Sequence, residues 1–179
     1  MTSTRKVTLV SKRRSDAPRD YRWQTDAELM ALSGNQPLTI PYQEYLTRYD
    51  AGEQKTDTLF LSILTVSEGR HIGNCAIYDT DLDKGETSIG ITIGEREYWG
   101  QGYGTEAVKA LLDCVFNSMG LRSVKLKTLA ENQRARRCFE KCGFQACGNL
   151  KERGRNYVLM CLSYEDYAIQ QYSTENGEG

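Results

Sequence analysis

The sequence predicts an α+β fold in which helices pack on a sheet, and three observations carry that prediction. Residues 86–93 alternate, with Ile89, Ile91 and Ile93 on one face and Ser88, Gly90 and Thr92 on the other, the period of a strand buried on one side. Ala107, Val108, Leu111, Leu112, Val115 and Phe116 mark one face of a long helix closed by Gly120. Ala135, Cys138, Phe139 and Cys142 recur at i, i+3, i+4 and i+7, and Gly143 ends that second helix.

The other elements follow in chain order. Thr4 to Arg13 reads as a first strand. Tyr21, Trp23, Leu29 and Leu32 have helical spacing within Asp16 to Leu32, Pro37 and Pro41 break the chain, and Tyr42 to Tyr49 fits a short helix. Thr58 to Val66 is an apolar run suited to a central strand. Glu68-Gly69-Arg70 makes a turn into a strand from His71 to Tyr78, and Asp79 to Gly85 is a polar hairpin loop. After the long helix comes a strand from Ser123 to Leu129, then Asn132 as the N-cap of the second helix. Phe144 to Leu150 and Tyr157 to Ser163 complete the sheet as a hairpin around Gly154.

At 179 residues the chain fits a single domain, 1–171, with a polar, glycine-bearing tail at 172–179 expected to be disordered. The formal net charge of -1 provides no field to recruit nucleic acid or an anionic membrane. Lys12, Arg13 and Arg14 are soon offset by Asp16 and Asp20 and read as a solvated patch. No stretch approaches the ~20 apolar residues of a membrane span, and Met1 to Ser11 lacks the apolar core of a secretory signal. The six cysteines show no CxxC pair and no His partner at zinc spacing, so no metal is expected. All six read as reduced thiols, which places the protein in the cytoplasm.

Chemistry concentrates in Tyr98-Trp99-Gly100-Gln101-Gly102-Tyr103-Gly104-Thr105-Glu106-Ala107, between a strand and a strongly periodic helix. Alternate glycines let the backbone approach a ligand closely. The first N–H groups of the helix have no intrahelical partners, and with the helix dipole they form an anion site suited to a diphosphate. A Walker loop would need Gly-Lys-Ser/Thr, but Thr105 and Glu106 follow Gly104. A dinucleotide fingerprint would need a third glycine at Thr105 and an acidic residue about 20 positions later. A tight strand–helix turn with incidental glycines is the bland alternative.

This segment resembles the acyl-CoA-binding signature of the GNAT N-acetyltransferases, Arg/Gln-x-x-Gly-x-Gly/Ala, with Gly102 and Gly104 at its two glycines and Trp99 in place of the leading residue. Tyr-Trp-Gly-x-Gly-Tyr-Gly/Ala-Thr-Glu-Ala is similar to the variant of the Rim-type branch, named for acetyltransferases of ribosomal-protein N-termini. Glu131 to Phe144 resembles the family's second signature, Asn-x-x-Ala-x-x-x-Tyr-Glu-Lys-x-Gly-Phe. The resemblance covers about Ile72 to Phe144 well and the N-terminal part loosely. It implies a mixed, largely antiparallel, splayed sheet of about six to seven strands with helices on both faces.

It also implies a function: an acetyl-CoA-dependent N-acetyltransferase that passes the acetyl group directly to a primary amine in a ternary complex. Backbone groups of Ile91 and Ile93 would pair with the pantetheine amides, and N–H groups from Gln101, Gly102, Tyr103, Gly104 and Thr105 would hold the diphosphate. Asn132 would bond near the pantetheine or the acetyl group. The usual general-acid tyrosine is Phe139 here, and where Rim-type relatives often carry a base, this chain has Ser88. Glu86, two positions earlier on the same face, is the substitute base, with Glu95, Glu97, Tyr103 and His71 as other candidates. His71 reads mainly as surface or structural, and Cys138 as core. These departures leave a second reading, a non-catalytic acyl-CoA-binding sensor or regulatory module. The acceptor amine and a homodimeric state stay open.

Overall fold

In a computed structural model, residues 5–51 and 57–176 are described, and they form a seven-stranded sheet with six α-helices. The strands are β1 (Val7–Ser11), β2 (Leu59–Thr65), β3 (His71–Asp81), β4 (Glu86–Ile93), β5 (Ser123–Leu129), β6 (Gln145–Glu152) and β7 (Arg155–Ser163). Their spatial order is β1-β2-β3-β4-β5-β7-β6, and only β4 and β5 run parallel. Parallel neighbours need a crossover, and α4 (Tyr103–Asp113) supplies it. The remaining helices are α1 (Ala17–Thr25), α2 (Ala27–Leu32), α3 (Tyr42–Asp50), α5 (Gln133–Lys141) and α6 (Tyr164–Asn176).

Alternation along the strands separates two faces. Ile63 and Cys75 join the main core with Val108, Leu111, Leu112 and Val115 of the α4 segment. Their neighbours point the other way: Ser62 Oγ donates to Asp16 Oδ2 at 2.8 Å, and Asn74 Nδ2 donates to Asp20 Oδ1 at 2.7 Å under α1. Helices therefore cover both faces, as expected. Burial of the four α4-side apolar residues contributes about 1.5–3 kcal/mol each.

Several boundaries differ from the sequence reading, each for a local reason. The helix expected over Asp16 to Leu32 divides at Asp26, which is extended (φ -77°, ψ 107°) and caps α2 by accepting the Leu29 N–H. Strand β3 continues to Asp81 through an irregularity at which Asp79 takes φ 50°. The long helix is α-helical to Asp113 and then makes a π-helical turn, Cys114–Ser118. Helix α6 extends through residues 172–176, assigned from sequence to a disordered tail. Thr4 and residues 177–179 lie outside the described ones.

The cysteine reading also needs correction: Cys147 and Cys161 form a disulfide between β6 and β7. The register skips from Ala146↔Met160 to Gly148↔Leu159, which makes Cys147 the extra residue of a bulge beside Cys161. Cys75, Cys114, Cys138 and Cys142 are free thiols. No helix among the described residues is long and apolar enough to cross a membrane.

Candidate active site

The site forms where β4 and β5 part. Their parallel pairing holds for only three steps, from Glu86↔Ser123 to Ser88↔Lys125. Beyond that point β4 stays paired with β3 as far as Gly73↔Ile93, and β5 stays paired with β7 as far as Leu129↔Tyr157. A wedge opens between residues 89–93 and residues 126–129. The Gly94 N–H bonds Ile72 O toward β3, whereas Gly85 O accepts from Arg122 and Ser123 toward β5. Alternation along the strand then turns the main-chain groups of Ile89, Ile91 and Ile93 into the wedge.

The glycine loop closes the wide end of this wedge. Gly102 is the N-cap of α4 with φ 86°, a conformation that favours glycine, and it caps the helix with no side chain. The first intrahelical bond is Glu106 N–H to Gly102 O, which leaves the N–H groups of Tyr103, Gly104 and Thr105 without helical partners. A Cβ added to Gly104 would lie 3.6 Å from Cys138 Sγ and 3.7 Å from Ile93 Cγ1, so α4, α5 and β4 meet closely there. Lys6 Nζ donates to Gln101 O at 2.8 Å and lies over the Tyr103 ring, which pins the loop to the residue just before β1. The Gln101 side chain donates to Glu97 O. Unpaired donors, a helix dipole and a wedge bordered by free main-chain groups fit a diphosphate followed by an amide-bearing arm, the chemistry of coenzyme A.

Trp99, which replaces the leading residue of the first signature, has a defined job. Its Nε1–H donates to Ile93 O at 2.7 Å, so one of the wedge-facing carbonyls is satisfied internally. The Arg134 guanidinium lies over the Trp99 ring, 3.6 Å from its centroid. Asn132 caps α5 by accepting the Ala135 N–H at 3.2 Å, and its Nδ2 donates to Leu32 O at 3.0 Å. Both ends of that amide are thus engaged, and Asn132 ties α2 to the start of α5.

The catalytic candidates fall into two groups. Ser88 occupies the last β4–β5 pair, at the apex of the wedge, and Glu86 lies two residues behind it with its carboxylate 2.6 Å from Lys125 Nζ. Tyr78 pairs with Ser88 across β3–β4, and its ring is 3.6 Å from where a Gly90 Cβ would be. Burial and nearby Asp79 raise the Tyr78 pKa, and Lys127 of β5 opposes them. Phe139 is buried against Phe144 and offers no proton.

The other group is engaged elsewhere. Glu95 pairs with Arg22 and Arg70 and accepts from Trp23 Nε1, and Glu97 pairs with Arg70 at 2.5 Å. The Tyr103 ring meets Tyr98 edge-on. His71 is buried beneath α1, its Nε2 2.9 Å from Asn74 Oδ1, and desolvation lowers its pKa. Cys138 is half-buried 3.5 Å from Thr105 Oγ1, and neighbouring Cys142 and Thr105 lower its pKa, while the Cys142 thiol donates to Thr105 O. Sequence reasoning missed Tyr78 and Arg134. Trp99 was visible as a departure from the signature, but no sequence signal gives its partners.

A family model described as an acetyltransferase (GNAT) domain matches residues 6–145. The uncharacterized N-acetyltransferase p20 of Bacillus licheniformis is 32% identical over 113 residues, which span 60% of this chain and 63% of that protein. The human alpha/beta-tubulin-N-acetyltransferase 9 is 29% identical over 154 residues, covering 79% of this chain and 73% of the relative. The structure of spermidine N-acetyltransferase from Vibrio cholerae in complex with CoA and spermine superposes with TM-score 0.82 at 19% identity, covering 92% of this chain and 99% of that one. With the matched segment running from the first strand through both glycine-bearing signatures, this chain belongs to the GNAT acetyltransferase domain family.

Proposed function

We propose that this chain is an acetyl-CoA-dependent N-acetyltransferase of the Rim-type branch that transfers acetyl directly to a primary amine. The observation that carries this reading is the wedge opening after Ser88 and Lys125 beside the uncapped start of α4. The N–H groups of Gln101 to Thr105 bind the diphosphate, and main-chain groups of Ile91 and Ile93 align the pantetheine. A wedge-facing N–H of β4 stabilises the oxyanion as the amine adds to the thioester carbonyl.

Deprotonating the amine is the harder step. An alkyl ammonium of pKa ~10 is only about one part in a thousand neutral at pH 7, a deficit of roughly 4 kcal/mol. Glu86, which lies two residues from Ser88 and pairs with Lys125, accepts the proton directly or through water. The departing thiol, with a pKa near ~8.5, leaves as a tolerable thiolate, so Phe139 in the general-acid position is acceptable. The Glu86→Gln variant should lose ~10²–10⁴-fold in kcat at pH 7 and keep its affinity for acetyl-CoA; an undiminished kcat would remove Glu86 from the mechanism.

The acceptor is a polyamine, an amino sugar, a drug amine or a protein N-terminus. Thiol release from acetyl-CoA across such a panel tests the reading. Turnover with one amine class supports it and names the acceptor. The departures at Phe139 and Ser88 favour one second reading, an acyl-CoA sensor, which predicts tight acetyl-CoA binding with no thiol release across the panel. A cytoplasmic location is expected from six reduced thiols; the Cys147–Cys161 disulfide removes that support, and thiol counting in protein isolated under alkylating conditions tests the location. Free Cys147 and Cys161 fit a reducing compartment, and a persistent disulfide contradicts one.

A further inference from the structure

Tyr78 differs from the tyrosines packed around α1 and α3. The Tyr21 and Tyr49 hydroxyls donate to Ile40 O and Arg13 O, and Tyr45 accepts from Gln24, as buried phenols usually do. The half-buried Tyr78 hydroxyl makes no hydrogen bond among the described residues. Its neighbour Ile77 belongs to the core with α4, so strand alternation puts Tyr78 on the opposite face, with Ser88, Gly90, Lys125 and Lys127. Tyr78 pairs with Ser88, the last β4 residue joined to β5, and Gly90 is the next β4 residue on that face. A Cβ added to Gly90 would lie 3.6 Å from Tyr78 Cε1 and meet nothing else within 4 Å. Gly90 is not among the glycines with positive φ, so what it supplies here is room: the Tyr78 ring borders an open floor where β4 and β5 part. Across the gap, Lys127 is near enough to act electrostatically on Tyr78, while it pairs with Glu152 at 2.5 Å.

We propose that Tyr78 orients the acceptor: its hydroxyl oxygen accepts a hydrogen bond from the attacking nitrogen above Gly90 and aims the nitrogen lone pair at the thioester carbonyl. The inference rests on the transferase reading above and adds to it the group that touches the amine. Helix α4 packs on the other face of the sheet, so the amine approaches from the side of Tyr78, where the Lys125 and Lys127 side chains are 51% and 42% exposed. Burial and Asp79 raise the Tyr78 pKa against the pull of Lys127, so the phenol stays neutral and orients without taking the proton. The neutral amine adds to the carbonyl, its N–H proton passes to Glu86, and the C–S electron pair leaves with the thiolate.

The test combines acetyl-CoA affinity with steady-state kinetics on spermidine, kanamycin and a peptide with a free N-terminus. Wild type, Tyr78→Phe, Gly90→Val and the double variant are compared. For each amine that wild type turns over, Tyr78→Phe should lower kcat/KM about 3–10-fold, the range of one neutral hydrogen bond. Acetyl-CoA affinity and the shape of the pH profile should not change. Gly90→Val suits a strand but fills the floor beside the ring, so it should lower kcat/KM at least as much. Tyr78→Phe should then add no further loss in that background. Equal kcat/KM of Tyr78→Phe and wild type, a matching loss of acetyl-CoA affinity, losses that multiply in the double variant, or an altered pH profile would overturn the proposal. Wild type that binds acetyl-CoA but turns over none of the three amines would overturn the transferase reading, and this proposal with it. Melting temperatures of the variants within a few degrees of wild type exclude misfolding as the cause.

Discussion

Gly102 shows how one residue can be both a structural and a chemical requirement. Space is available at that position, since an added Cβ would meet only Lys6 Nζ at 3.7 Å. The constraint is φ 86°, which costs an L-residue about 1–2 kcal/mol. Gly102→Val should lower unfolding stability by about that amount and abolish the thermal shift given by acetyl-CoA; a retained shift would mean the loop amides are not the binding groups. Cys138 gives a second prediction at this scale. With its pKa lowered by neighbouring Cys142 and Thr105, its thiolate forms at lower pH than that of a free thiol. Its alkylation rate should rise at lower pH than a curve centred near ~8.5, and mass-spectrometric mapping across pH 5–9 reads it directly. The glycine loop was legible because backbone amides and positive φ follow from residue type. The stacking of Arg134 on Trp99 was not, because it joins residues separated by a helix and a strand, and no periodic pattern marks the pair.

At the scale of elements, the sequence predicted β4 and β5 with their observed bounds, since alternation and β-branched content fix a strand locally. The break at Asp26 escaped because apolar spacing continues across it, and only the bond from the Leu29 N–H reveals the cap. Asp26→Ala should cost about 1 kcal/mol through the lost cap. That carboxylate, lowered to about 2 mainly by Arg96, has a folded value below its unfolded one. Its stabilisation is complete above pH ~4 and is lost as pH falls toward 2. Helix α6 was missed because Ile169 and Tyr172 are exposed while Tyr167 is buried, so its apolar stripe is blurred. His71 beneath α1 carries its own pH dependence. Its pKa is lowered by burial and by the Lys12 ammonium, which outweigh the opposing Asn74, Asp20 and Asp16, so the unfolded chain takes up the proton first as pH drops through ~6.5. The urea midpoint should fall between pH 7 and pH 5 more in wild type than in His71→Asn; equal falls would contradict this.

Across the whole molecule, one topological feature does the functional work. A sheet held by antiparallel pairs on both wings has a single parallel seam, and that seam is left unzipped after three residue pairs. Each wing keeps its own hydrogen bonds, so the wedge opens without orphaning either outer edge. The splay could be expected from the family resemblance but not from alternation, because a strand pattern does not say where pairing stops. The Cys147–Cys161 bond was likewise invisible, since it needs a bulge to bring the two residues together. Closing a loop of separation 14 is worth up to about 3 kcal/mol, so reduction should lower stability by no more than that.

The central claim is that main-chain donors along the wedge and at the head of α4 receive the cofactor. Amide hydrogen exchange with and without saturating acetyl-CoA tests it most directly. The account predicts new protection at Ile91, Ile93 and residues 103–105, with β1 and β2 unchanged. Exchange at those amides that is indifferent to acetyl-CoA, despite measurable binding, would contradict it.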